Sequence, residues 1–326
     1  MHGRCQQHPV GGIGCANLRE ATTMRKRIVL VVVLVAVTVA TGALWVHARR
    51  VGRERKYEEA TREGDRASLA YEYSDASNWY RQAAELQPGR ADIWEDVGVS
   101  AHYAGDLAQA ESALLTANAL EPGRPWVHSH LAGIYRHQGR FAQALAETEA
   151  ELKITPAKPR THVHYVVALN QVGRLQTAYD TYEARLLDDP NDALGHFGLG
   201  MALTFDGEYE RALMEFHEAA DIDDGMTEAR RQMARALLFL DLPQKAEIEL
   251  RRVRAEDPKA YADTLLGWAL LDQGRYGEAE AVYRQAIRER PVLAAAHSGL
   301  ARVCGETGRI DESLREYREA IKWGST

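Results

Sequence analysis

The stretch PWVHSHLAGIYRHQGR, Pro125 to Arg140, sets His128, His130 and His137 beside Trp126 within sixteen residues. Imidazoles at that density suggest a metal chelate or a proton relay. A chelate on one helix needs ligands three or four residues apart, because only those share a face. His128 and His130 are two apart and point to nearly opposite sides, while His130 and His137 stand roughly 10 Å apart along a helix axis. A site shared between elements would draw on His130, His137 and His164. It would need neighbouring helices, about 8 to 10 Å apart, to aim their side chains at one point. The expectation is therefore no metal and no cofactor. Histidines titrating in a binding surface near about pH 6 are the better-supported chemistry.

Other catalytic signatures are missing from the sequence. There is no glycine-rich phosphate loop, no G-x-S-x-G, no H-E-x-x-H and no paired-cysteine metal motif. The acid pairs Glu58-Glu59, Asp188-Asp189 and Asp223-Asp224 read as solvated charge. No enzyme is expected. The 45% hydrophobic and 27% charged content is that of a folded chain.

Charge divides the chain in two. Residues 1–56 hold 10 Lys/Arg and 2 Asp/Glu, which leaves 30 and 45 for residues 57–326. A mean field of that sign repels phosphate, so nucleic acid is not an expected partner. Within the basic part, Ile28 to Val46 is nineteen residues without a charge, long enough to cross a bilayer as a helix. Trp45 stands where an interfacial anchor belongs. Residues 1–27 read as a basic tail, 28–46 as a transmembrane anchor and 47–56 as a basic juxtamembrane linker. A cleaved signal peptide is the alternative, with Val46-His47-Ala48 as a small-x-small site. Met24 is a second candidate start, which would place Cys5 and Cys15 outside the mature chain. Basic residues flank both sides of the apolar run. The short leader favours a single-pass protein of the plasma or inner membrane with residues 57–326 on the outer side.

The elements that must position the histidines follow from a repeat. Pro88, Pro122, Pro156 and Pro190 are each 34 residues apart, and Pro258 and Pro291 continue the series after a skipped copy at Asp224. Twelve residues before each of these positions stands Ala76, Ala110, Ala144, Ala178, Ala212, Ala246, Ala279 or Ser313. Twenty-four before them stand Gly64, Gly98, Ala132, Val166, Gly200, Ala234, Gly267 and Ala301. Between the two series fall Gly105, Gly139, Gly173, Gly207, Gly274 and Gly308. Each unit therefore reads helix, glycine turn, helix, proline stop.

This pattern resembles the tetratricopeptide repeat (TPR) family, as Trp94, Val97, Gly98, Gly105, Ala110, Leu114, Ala117 and Pro122 illustrate in one unit. Eight units start at Tyr57, Ala91, Pro125, Pro159, Ala193, Thr227, Ala260 and Ala294. The expected fold is an all-α, right-handed α-solenoid of about eight helix pairs over residues 57–326, preceded by one N-terminal transmembrane helix. The resemblance implies close to one superhelical turn. The first unit carries Tyr71 in place of the turn glycine and reads as a degenerate cap. The sixth carries Asp241-Leu242-Pro243, which still favours a turn. The last helix, RIDESLREYREAIKW, is expected to close the core with a charged surface.

Within this register His128, His162, His196 and His297 all occupy position 4 of their units, a packing slot that Trp94 fills in the second. The residues that TPR proteins present on their concave face correspond here to Tyr103, Trp126, His130, Arg136, His137, Arg160, His164, Asn170, Phe197, Met201, Phe205, Arg231, Arg235 and Trp268, together with Gln171, Leu194, Phe239 and Tyr261. The resemblance implies a protein or peptide partner held in that groove, with aromatic anchors and arginines as binding residues. An accessory subunit of an envelope biogenesis, glycan or secretion complex and a self-associating structural element are the alternatives. Position 9 reads Asp65, Val99, Gly133, Val167, Met201, Arg235, Trp268 and Arg302, so the family's carboxylate clamp, which needs Asn there, is absent.

Overall fold

A computed structural model describes residues 13–257 and 262–324. The start of the seventh unit, with Pro258, Ala260 and Tyr261, lies outside them, as does Cys5. Sixteen α-helices make up the described residues. The first, α1 (Ile13–Leu69), pairs at its end with α2 (Tyr73–Leu86). The next pairs are α3 (Ala91–Tyr103) with α4 (Leu107–Leu120), α5 (Pro125–His137) with α6 (Phe141–Ile154), and α7 (Pro159–Gln171) with α8 (Leu175–Asp188). Then come α9 (Ala193–Asp206) with α10 (Tyr209–Ile222), and α11 (Thr227–Phe239) with α12 (Pro243–Glu256). The last are α13 (Asp263–Asp272) with α14 (Tyr276–Glu289), and α15 (Ala294–Glu306) with α16 (Ile310–Gly324).

The chain divides into two units, Met1–Glu59 and Ala60–Thr326. In the first, the expected anchor and the expected linker, 47–56, are both helical. The helix propensities agree: 47–56 contains no proline and holds four arginines. From Val29 onward α1 has an apolar window of mean hydropathy 2.7. Its length and composition fit a membrane anchor or a signal sequence equally.

In the second unit the repeat signals do what their chemistry requires. Six turn glycines adopt left-handed φ of 71° to 83°, a region costly for other residues. Tyr71 and Asp241 fill the same turn position in the first and sixth units, at φ 61° and 55°. Aspartate tolerates that conformation; for tyrosine it is costly. The Tyr71 hydroxyl donates to the carbonyl of Glu289 at 2.8 Å, tying the first unit to the end of α14. Tyr73 stacks on Tyr103 at 5.0 Å. Close by is a cavity of about 370 Å³ whose lining includes Tyr71, Tyr73, Tyr103 and Trp323. The first unit therefore does more than cap: it bridges to the seventh.

Small residues at position 8 let the two helices of a pair meet. A Cβ on Gly98 would lie 2.5 Å from Leu114, one on Gly200 2.8 Å from Phe216, and one on Gly267 2.5 Å from Tyr283. In each case the neighbour is the large residue at position 24. A continuous core runs from Leu145 to Cys304, with a smaller cluster around Leu114, Leu131 and Ile134. The free thiol of Cys304 is buried in it.

The final helix differs from expectation. Of α16 only Ser313 is buried, while Ile310, Leu314, Tyr317 and Ile321 form an exposed apolar stripe. Their spacing of four, three and four residues keeps them on one face. The helix is charged on its other sides only, so it is not the polar cap that its composition suggests.

Candidate peptide-binding groove

The position-4 residues are more than packing. His128, His196 and His297 each place Nδ1 2.7 Å from a glutamate nineteen residues on: Glu147, Glu215 and Glu316. In the sixth unit the pair is Arg230 with Glu249 at 3.9 Å. Each glutamate stands at position 23, on the second helix of the same unit. His162, whose unit has Thr181 at that place, bonds instead to the Tyr182 hydroxyl at 3.0 Å. The far side of the slot is equally regular. His162, His196 and His297 reach with Nε2 to the carbonyls of Pro156, Pro190 and Pro291, at 2.8, 3.1 and 2.9 Å. Trp94 donates to the Pro88 carbonyl at 3.0 Å. One side chain thus joins both helices of its unit to the end of the unit before.

The chemistry of the slot differs with its acceptor. Carbonyl and carboxylate oxygens only accept, so His196 satisfies both by carrying protons on both nitrogens. Burial lowers its pKa, but the bonds to Glu215 and the Pro190 carbonyl outweigh that and raise it above the ordinary value. His162 has a hydroxyl that can donate to Nδ1, and burial lowers its pKa. A raised folded-state pKa contributes stability that is fully present below the unfolded value, about 6.5, and is lost as pH rises through the folded one. Glu215→Gln is accordingly expected to lower stability by about 1 kcal/mol near pH 5.5 and by less near pH 8. Thermal melts across that range measure it.

The expected groove residues fall into two groups and some outliers. In the first group, His102 and His130 face each other with Nδ1 atoms 3.3 Å apart. The His102 ring lies 6.0 Å from that of His137, and Tyr103 lies 5.9 Å from His130. His164 holds Glu151 at 3.1 Å. Burial, then the neighbouring His130, His137 and Arg136, pushes His102 down to about 4. Burial, then Arg160 and His164, does the same to His130. Arg136, His137 and Arg160 are exposed. Among the described residues no set of three or more His, Cys, Asp or Glu is placed to hold a metal ion.

The second group lies on α11 and α13. Phe239 stacks on Tyr209 at 4.8 Å and meets Trp268 edge-on at 5.7 Å. Arg231 is engaged by Glu228. Arg235, one turn before Phe239, is half-buried, and burial followed by the charge of Arg231 lowers its pKa. Trp126 is 54% exposed and Phe205 38%. Asn170 and Leu194 are half-buried and Gln171 is exposed. Tyr261 lies outside the described residues.

Phe197 and Met201 are corrections: they are 0% and 1% exposed and have no surface to offer a ligand. Their helix α9 carries Gly195, Gly198 and Gly200, where a Cβ would come within 2.9 Å of Leu186, 2.1 Å of Tyr182 and 2.8 Å of Phe216. The helix sinks into its neighbours, and the residues between the glycines go with it. Sequence reasoning also leaves out Tyr73, Tyr209 and Glu151. The aromatics stand just after a turn, where a helix-face pattern does not look; Glu151 is on a second helix.

A stack of helix pairs with a face of aromatic and basic side chains is an α-solenoid of the kind that presents binding residues on its first helices. Tetratricopeptide-repeat family models match residues 264–325, 206–269 and 125–150. These matches place tetratricopeptide repeats at residues 125–150 and 206–325. No curated protein matches it. Among solved structures, a tetratricopeptide repeat protein from Parabacteroides merdae is similar at 15% identity and TM-score 0.49, covering 76% of this chain and 99% of its own. YrrB, described as a TPR protein with an unusual peptide-binding site, is similar at 16% identity and TM-score 0.34, covering 60% and 97%. A thermophilic TPR protein from Thermus thermophilus is similar at 20% identity and TM-score 0.44, covering 55% and 98%.

Proposed function

We propose that this protein is a non-catalytic scaffold that holds a partner protein or an extended peptide in the concave groove of its repeats, at a membrane through residues 28–46. The observation that carries this reading is the row of large apolar side chains left in water along the first helices. Trp126, Tyr103, Phe205 and Phe239 are all exposed, although a solenoid of this size buries comparable side chains elsewhere. Aromatic residues kept in water beside arginines are the usual anchors of peptide recognition. Trp126 and Phe205 serve as apolar anchors, and Arg136, Arg160 and Arg235 meet acidic or carbonyl groups. The apolar window of α1 supports the membrane setting, and the short basic leader supports placing the repeats on its outer side.

Capture of partners from solubilised membranes tests the groove. The wild-type chain is compared with a Trp126→Ala/Phe205→Ala variant, both side chains being exposed enough for the fold to survive the change. Specific partners are expected to fall at least about tenfold in yield with the variant, the loss of two interface anchors at about 1 kcal/mol or more each. An unchanged partner set overturns the groove assignment.

A further inference from the structure

The histidine group of units two to four has a chemistry that general peptide binding does not require. Arg136 on α5 and Arg160 on α7 have no carboxylate partner among the described residues. Elsewhere in the solenoid Arg124, Arg140, Arg185, Arg275, Arg284 and Arg309 each sit on one. The charge of Arg136 reaches His102 and that of Arg160 reaches His130, and Nε2 of His102 is buried with no hydrogen-bond partner. We propose that this face is an acid-strengthened binding site for a carboxylate-rich segment of the peptide the groove holds. The proposal rests on the groove reading above and names the chemistry of one part of it.

The groups whose charge acts directly on His102 and His130 are all basic. From α3 come His102 itself and Tyr103; from α5, Arg136 and His137; from α7, Arg160 and His164. On α6, Glu147 and Glu151 are already taken by His128 and His164. On α4, Glu111 is held by Arg140. Asp96, at the position on α3 equivalent to His130, sits among Glu95, Asp65, Asp92 and Arg124. The free site is thus cationic around unprotonated rings. The pairing of His164 with the buried Glu151 shows the arrangement that a carboxylate adopts on this face.

The energetics follow from linkage. In the free protein His102 and His130 stay neutral because protonation would bury a further positive charge among positive neighbours. A bound carboxylate neutralises those neighbours and gives each ring an acceptor, so binding takes up protons. Affinity then rises as pH falls, by up to about tenfold per pH unit for each proton taken up. Ionisation of the peptide works in the opposite direction, so the trend cannot come from the ligand.

The test uses the full chain in detergent and a fluorescent hexaglutamate peptide, titrated between about pH 7.5 and about pH 5.5, the window of histidine titration. Hexaglutamate is expected to bind and to tighten at least about fivefold across that window, an average uptake of about a third of a proton. Arg136→Gln/Arg160→Gln abolishes binding, and Arg136→Lys/Arg160→Lys, which keeps the charge, restores much of it. His102→Gln/His130→Gln removes the tightening, so that affinity no longer rises from about pH 7.5 to about pH 5.5. Absence of hexaglutamate binding, or binding indifferent to both pairs of changes, overturns the proposal. So does equal binding of hexalysine, full competition by inorganic phosphate, or tight Zn²⁺ binding lost in the histidine variant, which would make the cluster a metal site. Partner capture that depends on Trp126 and Phe205 but not on Arg136 and Arg160 sinks this inference alone. Hexaglutamate binding with capture unaffected by the aromatic variant sinks the groove reading alone.

Discussion

Replacing Gly198 by alanine is expected to destabilise the solenoid by about 2 kcal/mol, although alanine is the better helix former by about 1 kcal/mol. The cause is space. A Cβ at Gly198 would lie 2.1 Å from Cε1 of Tyr182, a ring that is fully buried and whose hydroxyl is bonded to His162. Neither side can yield easily. Gly198 is on the backbone of α9, and Tyr182 is locked between the two units with its polar end already engaged. Moving the ring breaks a buried hydrogen bond, worth about 1 to 3 kcal/mol when a partner is left unsatisfied. Overpacking adds about 1 to 3 kcal/mol. The same substitution at Gly277 is the control: it too is within a helix, α14, but a Cβ there meets nothing within 4 Å. Gly277→Ala is expected to stabilise by up to about 1 kcal/mol through helix propensity alone. Urea unfolding of the two variants measures the contrast; equal shifts in the same direction would mean that the close approach at Gly198 does not constrain the repeat.

This contrast also marks what the sequence makes legible. The 34-residue spacing locates every turn glycine and every position-8 small residue, because each must satisfy a constraint internal to one unit. A left-handed turn needs glycine, and close helices need small side chains. Gly198 breaks that frame, since it meets Tyr182 from the preceding unit and its size is set by an inter-unit contact. Phe197 and Met201 escape the frame for the same reason: a face assigned by repeat position ignores how deeply a glycine-rich helix sinks. The bridge from Tyr71 to Glu289 spans 218 residues and has no local signature beyond a tyrosine where glycine belongs. The pairing of position 4 with position 23 is readable in principle, since glutamate stands at 147, 215, 249 and 316 wherever the slot holds His128, His196, Arg230 or His297. It shows only when two positions are compared across units.

Arg230 is the strictest case of that slot, and its loss is expected to be among the most damaging single changes in the chain. The side chain is buried, 5% exposed, and replaces histidine in the sixth unit. It forms an ion pair with Asp224, approaches Glu249 at 3.9 Å and Glu256 at 3.8 Å, and donates to the Asp224 carbonyl at 3.5 Å. Asp224 occupies the position where other units have proline, so the arginine makes the same link to the preceding unit that the histidines make to Pro190 and Pro291. The longer side chain also brings in the carboxylates of Asp224 and Glu256, but the position-23 glutamate decides the cost. Arg230→Ala leaves Glu249 half-buried without its cation, and the penalty for breaking a buried pair is about 3 to 5 kcal/mol. The lower end applies here, about 3 kcal/mol, because Asp224 and Glu256 can turn to solvent. Arg230→His should retain most of the stability, at a cost of about 1 kcal/mol, since histidine already bridges this slot to the position-23 glutamate in three other units. Because that bridge is strongest with a cationic ring, the histidine variant should lose more near pH 8 than near pH 6. Thermal melts of the three proteins at both pH values separate the alternatives. If alanine and histidine cost the same at pH 6, the slot is held by packing and the repeated geometry of its polar bonds contributes nothing measurable.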